Sequence, residues 1–216
     1  MRHRAQISLP ARARRIISRL KQTYPDAHCE LKHSTPLQLL IATILSAQCT
    51  DERVNKVTPA LFARCRTARD FAEIPIAELE ALIRTTGFFR SKAKSIRGCA
   101  TALVKDHGGE VPKTMEHLHS LPGVGRKTAN VVLGNAFNLA EGVVVDTHVG
   151  RLSRRMGLTR QQDPVKVEQS LMKIVPKEEW TLFSHLLIWH GRRRCSARKP
   201  DCQNCEIKNL CPQHGV

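Results

Sequence analysis

Apolar positions recur along the chain at spacings of three and four and almost nowhere at two. That pattern belongs to amphipathic helices rather than strands. Ile16, Ile17, Leu20 and Tyr24 set a first helix with a basic outer face, stopped near Pro25. Pro36 opens a second, Leu37 to Ala47, apolar enough to require burial nearly all round. Thr50 and Asp51 cap a third, which turns Val54, Val57, Leu61 and Phe62 inward. Short helices follow at Ala68–Ile74 and Ile76–Thr86, the latter broken by Gly87. Lys92 to Val104 forms another, closed by His107-Gly108-Gly109. Met115, Leu118 and Leu121 mark a short helix. Asp146 caps one reaching about Met156, and Asp163 with Pro164 starts Val165–Val175. Trp180, Phe183, Leu187 and Ile188 stripe a long last helix, and the brief run Val143–Val145 is the one strand-like exception. The fold class is all-α, with short connections.

The densest turn signal is Leu121-Pro122-Gly123-Val124-Gly125-Arg126-Lys127-Thr128. Gly accepts positive φ without cost, so Pro122 with two glycines makes a turn that β-branched residues cannot. Ala129, Val131, Val132 and Leu133 then recur at helical spacing. Helix, Gly-x-Gly turn and helix give a helix-hairpin-helix shape, whose amides at the second helix start suit a phosphate. It is not the dinucleotide fingerprint, because position 128 is Thr and no strand leads in. Lys127 sits in the first turn of that helix, where the helix dipole and Arg126 both work against an ammonium. Two roles are open to it: a nucleophilic amine, or a lysine that only touches phosphate.

Charge narrows the partner. Lys and Arg number 35 against 19 Asp and Glu, a net charge of +16, which points to a polyanion and salt-sensitive binding. The scarcity of aromatics argues against a stacking platform for single strands. No apolar run is long enough for a signal region or a membrane span, so an intracellular, cytoplasmic setting is expected. The Arg-rich start (Arg2, Arg4, Arg12, Arg14, Arg15) runs straight into the first helical pattern and reads as a basic arm.

In a reducing setting a tight cysteine cluster means metal. Cys195, Cys202, Cys205 and Cys211 fall within seventeen residues, whereas Cys29, Cys49, Cys65 and Cys99 are scattered. Structural zinc usually takes two Cys-x-x-Cys knuckles. Only Cys202 and Cys205 make one here, so an iron–sulfur cubane is at least as natural. The loop between the first two ligands carries Arg198 and Lys199, a second basic surface beside Arg192, Arg193 and Arg194. Asp146 follows the apolar run Val143–Val145; read alone it is an N-cap, and His148 a packed or capping histidine.

Taken together, Leu121 to Lys127, Val145-Asp146-Thr147-His148 and the four-cysteine spacing resemble the endonuclease III family of DNA glycosylase/AP lyases, in the helix-hairpin-helix superfamily. Leu45-Ser46-Ala47-Gln48, Asp51 to Asn55, Thr86-Gly87 and Ser91-Lys92-Ala93 match as well, so the resemblance runs from about residue 11 to 211. It implies a six-helix barrel over residues 28–139 that ends in the hairpin. A discontinuous second domain, residues 1–27 with 140–216, would hold a [4Fe-4S] cluster on Cys195, Cys202, Cys205 and Cys211. A DNA groove would run between them. Lys127 and Asp146 would be catalytic. Gln48 would fill the space left by a flipped base and Phe88 would wedge beside its orphaned partner. Leu121, Gly123, Val124, Gly125, Arg126, Thr128, His148, Arg198 and Lys199 would help bind duplex DNA carrying oxidised pyrimidines or abasic sites. The resemblance implies a monomer. Two departures stand out: Phe88 replaces a usual aliphatic, and Cys49 follows Gln48 where a small inert residue is common. Adenine and thymine-mismatch glycosylases share the fold but usually lack the lysine. A non-catalytic DNA-binding module would leave Lys127 and Asp146 unexplained.

Overall fold

A computed structural model describes residues 7–216; Arg2 and Arg4 of the expected basic arm lie outside them. Eleven α-helices and three short 3₁₀ turns make up the secondary structure among the described residues, with no strand, and Val143–Val145 is irregular. The helices are α1 (Leu9–Thr23), α2 (Pro36–Leu45), α3 (Asp51–Arg64), α4 (Ala68–Glu73), α5 (Ile76–Ile83) and α6 (Phe89–Asp106). After them come α7 (Met115–Ser120), α8 (Arg126–Ala136), α9 (Thr147–Arg155), α10 (Pro164–Met172) and α11 (Trp180–Arg193). No helix is long and apolar enough to cross a membrane. The chain divides into two compact units, Cys29–Glu141, and residues up to His28 with Gly142–Val216.

The Cys29–Glu141 unit is built around α2, whose residues Leu39 to Leu45 are all buried. Burying such a helix removes roughly 1.5–3 kcal/mol of apolar exposure per large side chain. Thr35 caps it through the Gln38 amide, with Pro36 in its first turn. The helix stops at Leu45, two residues short of the expected end, because the chain turns out through Ser46 to Gln48, whose φ is 51°. Thr67 and Asp70 close a capping box that starts α4, the short helix expected at Ala68–Ile74. Helix α6 starts at Phe89, before the expected Lys92. Arg90 and Ser91 in its first turn are exposed and carry no apolar stripe, and the Phe88 carbonyl accepts from the Lys92 amide at 3.0 Å.

The other unit packs α1 and α9 against α11, with Ile16, Leu20, Val149, Leu152, Phe183 and Leu187 buried. Helix α10 ends at Met172 rather than Val175, because the Ile174 and Val175 amides both fall back on the Leu171 carbonyl. Beyond α11 the chain is nearly devoid of regular structure. Arg12 holds it from α1, donating to the carbonyls of Met156 at 2.6 Å, Gly157 at 2.7 Å and Leu210 at 3.2 Å.

Candidate active site and metal centre

The turn between α7 and α8 has the geometry that its glycines require. Gly123 has φ 76°, and a Cβ there would lie 2.5 Å from the Ser95 Cβ. Only glycine fits, for conformation and for space. Leu121 and Val124 are buried, so those two anchor the turn to the core and face no ligand with their side chains. The Val124 amide is used within the turn, donating to Leu121 O at 3.1 Å. Gly125, Arg126 and Lys127 are exposed and Thr128 half-buried. Arg126 and Lys127 are the first two residues of α8, so an exposed primary amine stands at the positive end of the helix.

Asp146 belongs to the other unit. It is the N-cap of α9, its Oδ1 accepting from the Val149 amide at 2.7 Å, while the residue stays half-buried. The cap aims the carboxylate off the helix start. His148, one turn in, is half-buried: Arg151 lies 3.3 Å from its Nδ1, and a Cβ on Gly191 would meet that nitrogen at 2.6 Å. Burial lowers the His148 pKa, Asp146 opposing and Arg151 adding to the effect. One side of the ring is thus packed within its own unit.

Gln48 and Phe88 lie in the Cys29–Glu141 unit, and both adopt left-handed backbone, φ 51° and 48°. Gln48 is exposed and Phe88 is 67 % exposed. Neither side-chain type takes this conformation without cost, and such outliers gather at functional sites.

Cys195, Cys202, Cys205 and Cys211 line one pocket, and none of them forms a disulfide. Burial pushes the Cys205 thiol up to about 11 and raises Cys211, with neighbouring cysteines adding to both. Four cysteines lining one pocket suit a metal centre, because a bound cation would turn the cost of burying thiolates together into binding energy. The surroundings complete the donor shell. Arg155, buried on α9, reaches Cys195 Sγ at 3.4 Å, Ser196 O at 2.7 Å and Ala197 O at 2.6 Å. His190 Nε2 lies 3.5 Å from Cys205 Sγ and its Nδ1 lies 3.0 Å from the Tyr24 hydroxyl. Arg194 ties Asp201 at 2.6 Å and Glu206 at 2.9 Å. Ser196 Oγ donates to Lys199 O at 2.6 Å, so the loop is held from both sides while Arg198 and Lys199 stay exposed.

The contacts that Arg12, Arg155, His190 and Lys92 make were not read from spacing or composition. Their partners are backbone carbonyls and a sulfur, which no periodicity encodes. An inward-facing arginine near the end of α9, an otherwise basic stretch, was the one available hint.

Comparison with known proteins agrees with this arrangement. Residues 41–177 match the model of the HhH-GPD superfamily base excision DNA repair proteins. Endonuclease III of Synechocystis sp. is 55 % identical over 97 % of this chain and 95 % of its own length. Two solved structures share 45 % identity with a TM-score of 0.90, over 96 % of this chain and 97 % of theirs. One is a non-covalent endonuclease III–DNA complex, the other a trapped endonuclease III–DNA covalent intermediate in an estranged-adenine complex.

Proposed function

The chain belongs to the HhH-GPD superfamily of base excision DNA repair proteins, among the endonuclease III enzymes, and on that premise we propose which residues carry its chemistry. It is a DNA glycosylase and abasic-site lyase acting on damaged duplex DNA. Oxidised pyrimidines and abasic sites are its substrates, in the cytoplasm and on the nucleoid.

Lys127 is the nucleophile. The observation that carries this reading is an exposed amine in the first turn of α8, on a turn whose glycines bring backbone close to a phosphate. The neutral amine attacks C1′ of the flipped nucleotide as the bond from C1′ to the base breaks. The base leaves with that electron pair and takes up a proton. The lysine nitrogen then gives up a proton, and its lone pair opens the sugar ring: the C1′–O4′ bond breaks and the ring oxygen takes up a proton, leaving a C1′ iminium. That iminium acidifies a C2′ hydrogen, and loss of that proton expels the 3′ phosphate, cutting the strand. Asp146 stabilises the positive charge developing on the sugar and helps carry the proton off the lysine. Gln48 fills the vacated space in the stack and Phe88 wedges beside the orphaned base. Arg126, Thr128 and the Gly123–Gly125 backbone hold phosphate at the hairpin, and Arg198 and Lys199 do so at the cysteine loop. Leu121 and Val124 contribute through the turn they support.

The four cysteines hold a [4Fe-4S] cluster. The one-knuckle spacing and the sulfur-only donor set suit it, with Arg155 and His190 facing its ligands. When bound it supplies charge and a fixed loop; it takes no part in removing the base.

Borohydride trapping on a duplex with one thymine glycol or one abasic site tests the assignment. Wild type forms a covalent adduct; Lys127→Ala binds the duplex yet neither traps nor nicks. Asp146→Asn keeps affinity and loses turnover by about two orders of magnitude or more. Strand cleavage persisting in Lys127→Ala would remove the nucleophile from that position.

A further inference from the structure

Lys92 is 5 % exposed, and its ammonium donates to the Thr86 carbonyl at 2.8 Å. Burial lowers the amine's pKa, with Cys49 opposing. Taking an ammonium out of water costs several kcal/mol that a backbone carbonyl only partly returns. A methionine would fill the same volume without that cost. Fold stability therefore gives no reason for a lysine here, and its contacts supply one.

Thr86 closes the 3₁₀ turn Arg84–Thr86, its hydroxyl donating to Ile83 O at 2.8 Å. Gly87 follows at φ 70° and Phe88 at φ 48°, two successive residues on the left-handed side. A left-handed phenylalanine costs on the order of 1–2 kcal/mol. Lys92 brackets this pair. Its side chain holds the carbonyl before Gly87, and its own amide holds the carbonyl of Phe88 at 3.0 Å. An exposed ring on such a braced turn has the build of an intercalating wedge, which unstacks bases only if the turn beneath it does not yield.

Resting on the repair reading above, we propose that Lys92 is a positioning residue for base opening: its ammonium, fixed on the Thr86 carbonyl, stiffens the Gly87–Phe88 turn so that Phe88 enters the stack beside the damaged pair. Excision of a base still paired in the duplex depends on that wedge. Nicking at a ready-made abasic site, with no base to extrude, depends on it far less.

The test compares wild type, Lys92→Met, Phe88→Ala and the double variant. Lys92→Met is expected to melt at the wild-type temperature or above it. Its single-turnover excision of thymine glycol from a matched duplex falls about tenfold, the worth of one charge-assisted hydrogen bond. Nicking of a preformed abasic site stays within about twofold. The double variant loses no more excision than Phe88→Ala alone, because both act through one ring. Amide hydrogen exchange at residues 86–89 speeds up in Lys92→Met. Should that variant fail to fold, Lys92→Arg, which keeps a donor, is expected to retain the exchange protection. Unchanged exchange in Lys92→Met would overturn the proposal, as would excision and nicking falling together, multiplying losses in the double variant, or lost protection in Lys92→Arg. Wild type inactive on both substrates would instead strike the repair reading, while the exchange measurement still decides what Lys92 holds.

Discussion

In the Cys29–Glu141 unit, one continuous apolar cluster runs from Leu31 to Leu133 and reaches every helix from α2 to α8. In the other unit, the helices α1, α9 and α11 share apolar packing, while the last twenty residues bring one fully buried aliphatic side chain, Ile207. The other contacts there are arginine guanidinium groups on backbone carbonyls and the cysteines around a pocket. One unit is closed by exclusion of water, which is non-directional and spread over many side chains. The other is closed by a few directional contacts that matter only together, so it is the one whose fold depends on what its cysteines bind.

That difference can be broken most severely at the metal. Cys205→Ser, or exhaustive chelation, removes binding energy on the order of 10 kcal/mol and should release the chain beyond α11. Hydrogen exchange should show protection lost from residues 195–216 while α2 and α6 keep theirs. Loss of protection in both units alike would mean that the two are one cooperative block. A smaller blow falls on the apolar side. Leu40 is fully buried, and Leu40→Ala should cost about 2–5 kcal/mol. Its melting temperature should drop, with any metal bound by the cysteines retained until the transition itself. Smallest is the capping box of α4. Amide hydrogen bonds from Thr67 and Arg66 hold the Asp70 carboxyl below its usual value. A depressed carboxyl stabilises the fold above the ordinary carboxylate range and loses that contribution as pH falls through it. Asp70→Asn should therefore flatten the acid limb of stability below about pH 4 while costing about 1 kcal/mol or less near neutrality, the site being largely solvated. An unchanged acid limb would show that the box contributes nothing measurable.

Much of this was legible beforehand, where local chemistry decides. Thr50, Asp146 and Asp163 cap α3, α9 and α10 as their side chains demand, and the apolarity of Leu39–Leu45 left no option but burial. The cysteine spacing was legible because ligands must converge on one point. Phe88 and Gln48 could be named by resemblance, but their left-handed backbone could not, since nothing in either side chain favours it. Nor could the buried state of Lys92 be read: a lysine at a helix position normally means a wet face, and its acceptor is a carbonyl six residues upstream. His148 illustrates the converse: read alone it is a packed or capping histidine, and Gly191 does approach its ring closely.

Helix α6 has one more consequence. Phe88 caps its first turn, and about 10 Å further along, Ser95 and Gly98 form the bed on which Pro122 and Gly123 rest. The proposed wedge and the hairpin turn are thus mounted on one helix, so neither shifts along it without the other. On the reading proposed above, a helix shortened or lengthened by a residue would change the distance between them rather than merely loosen either one.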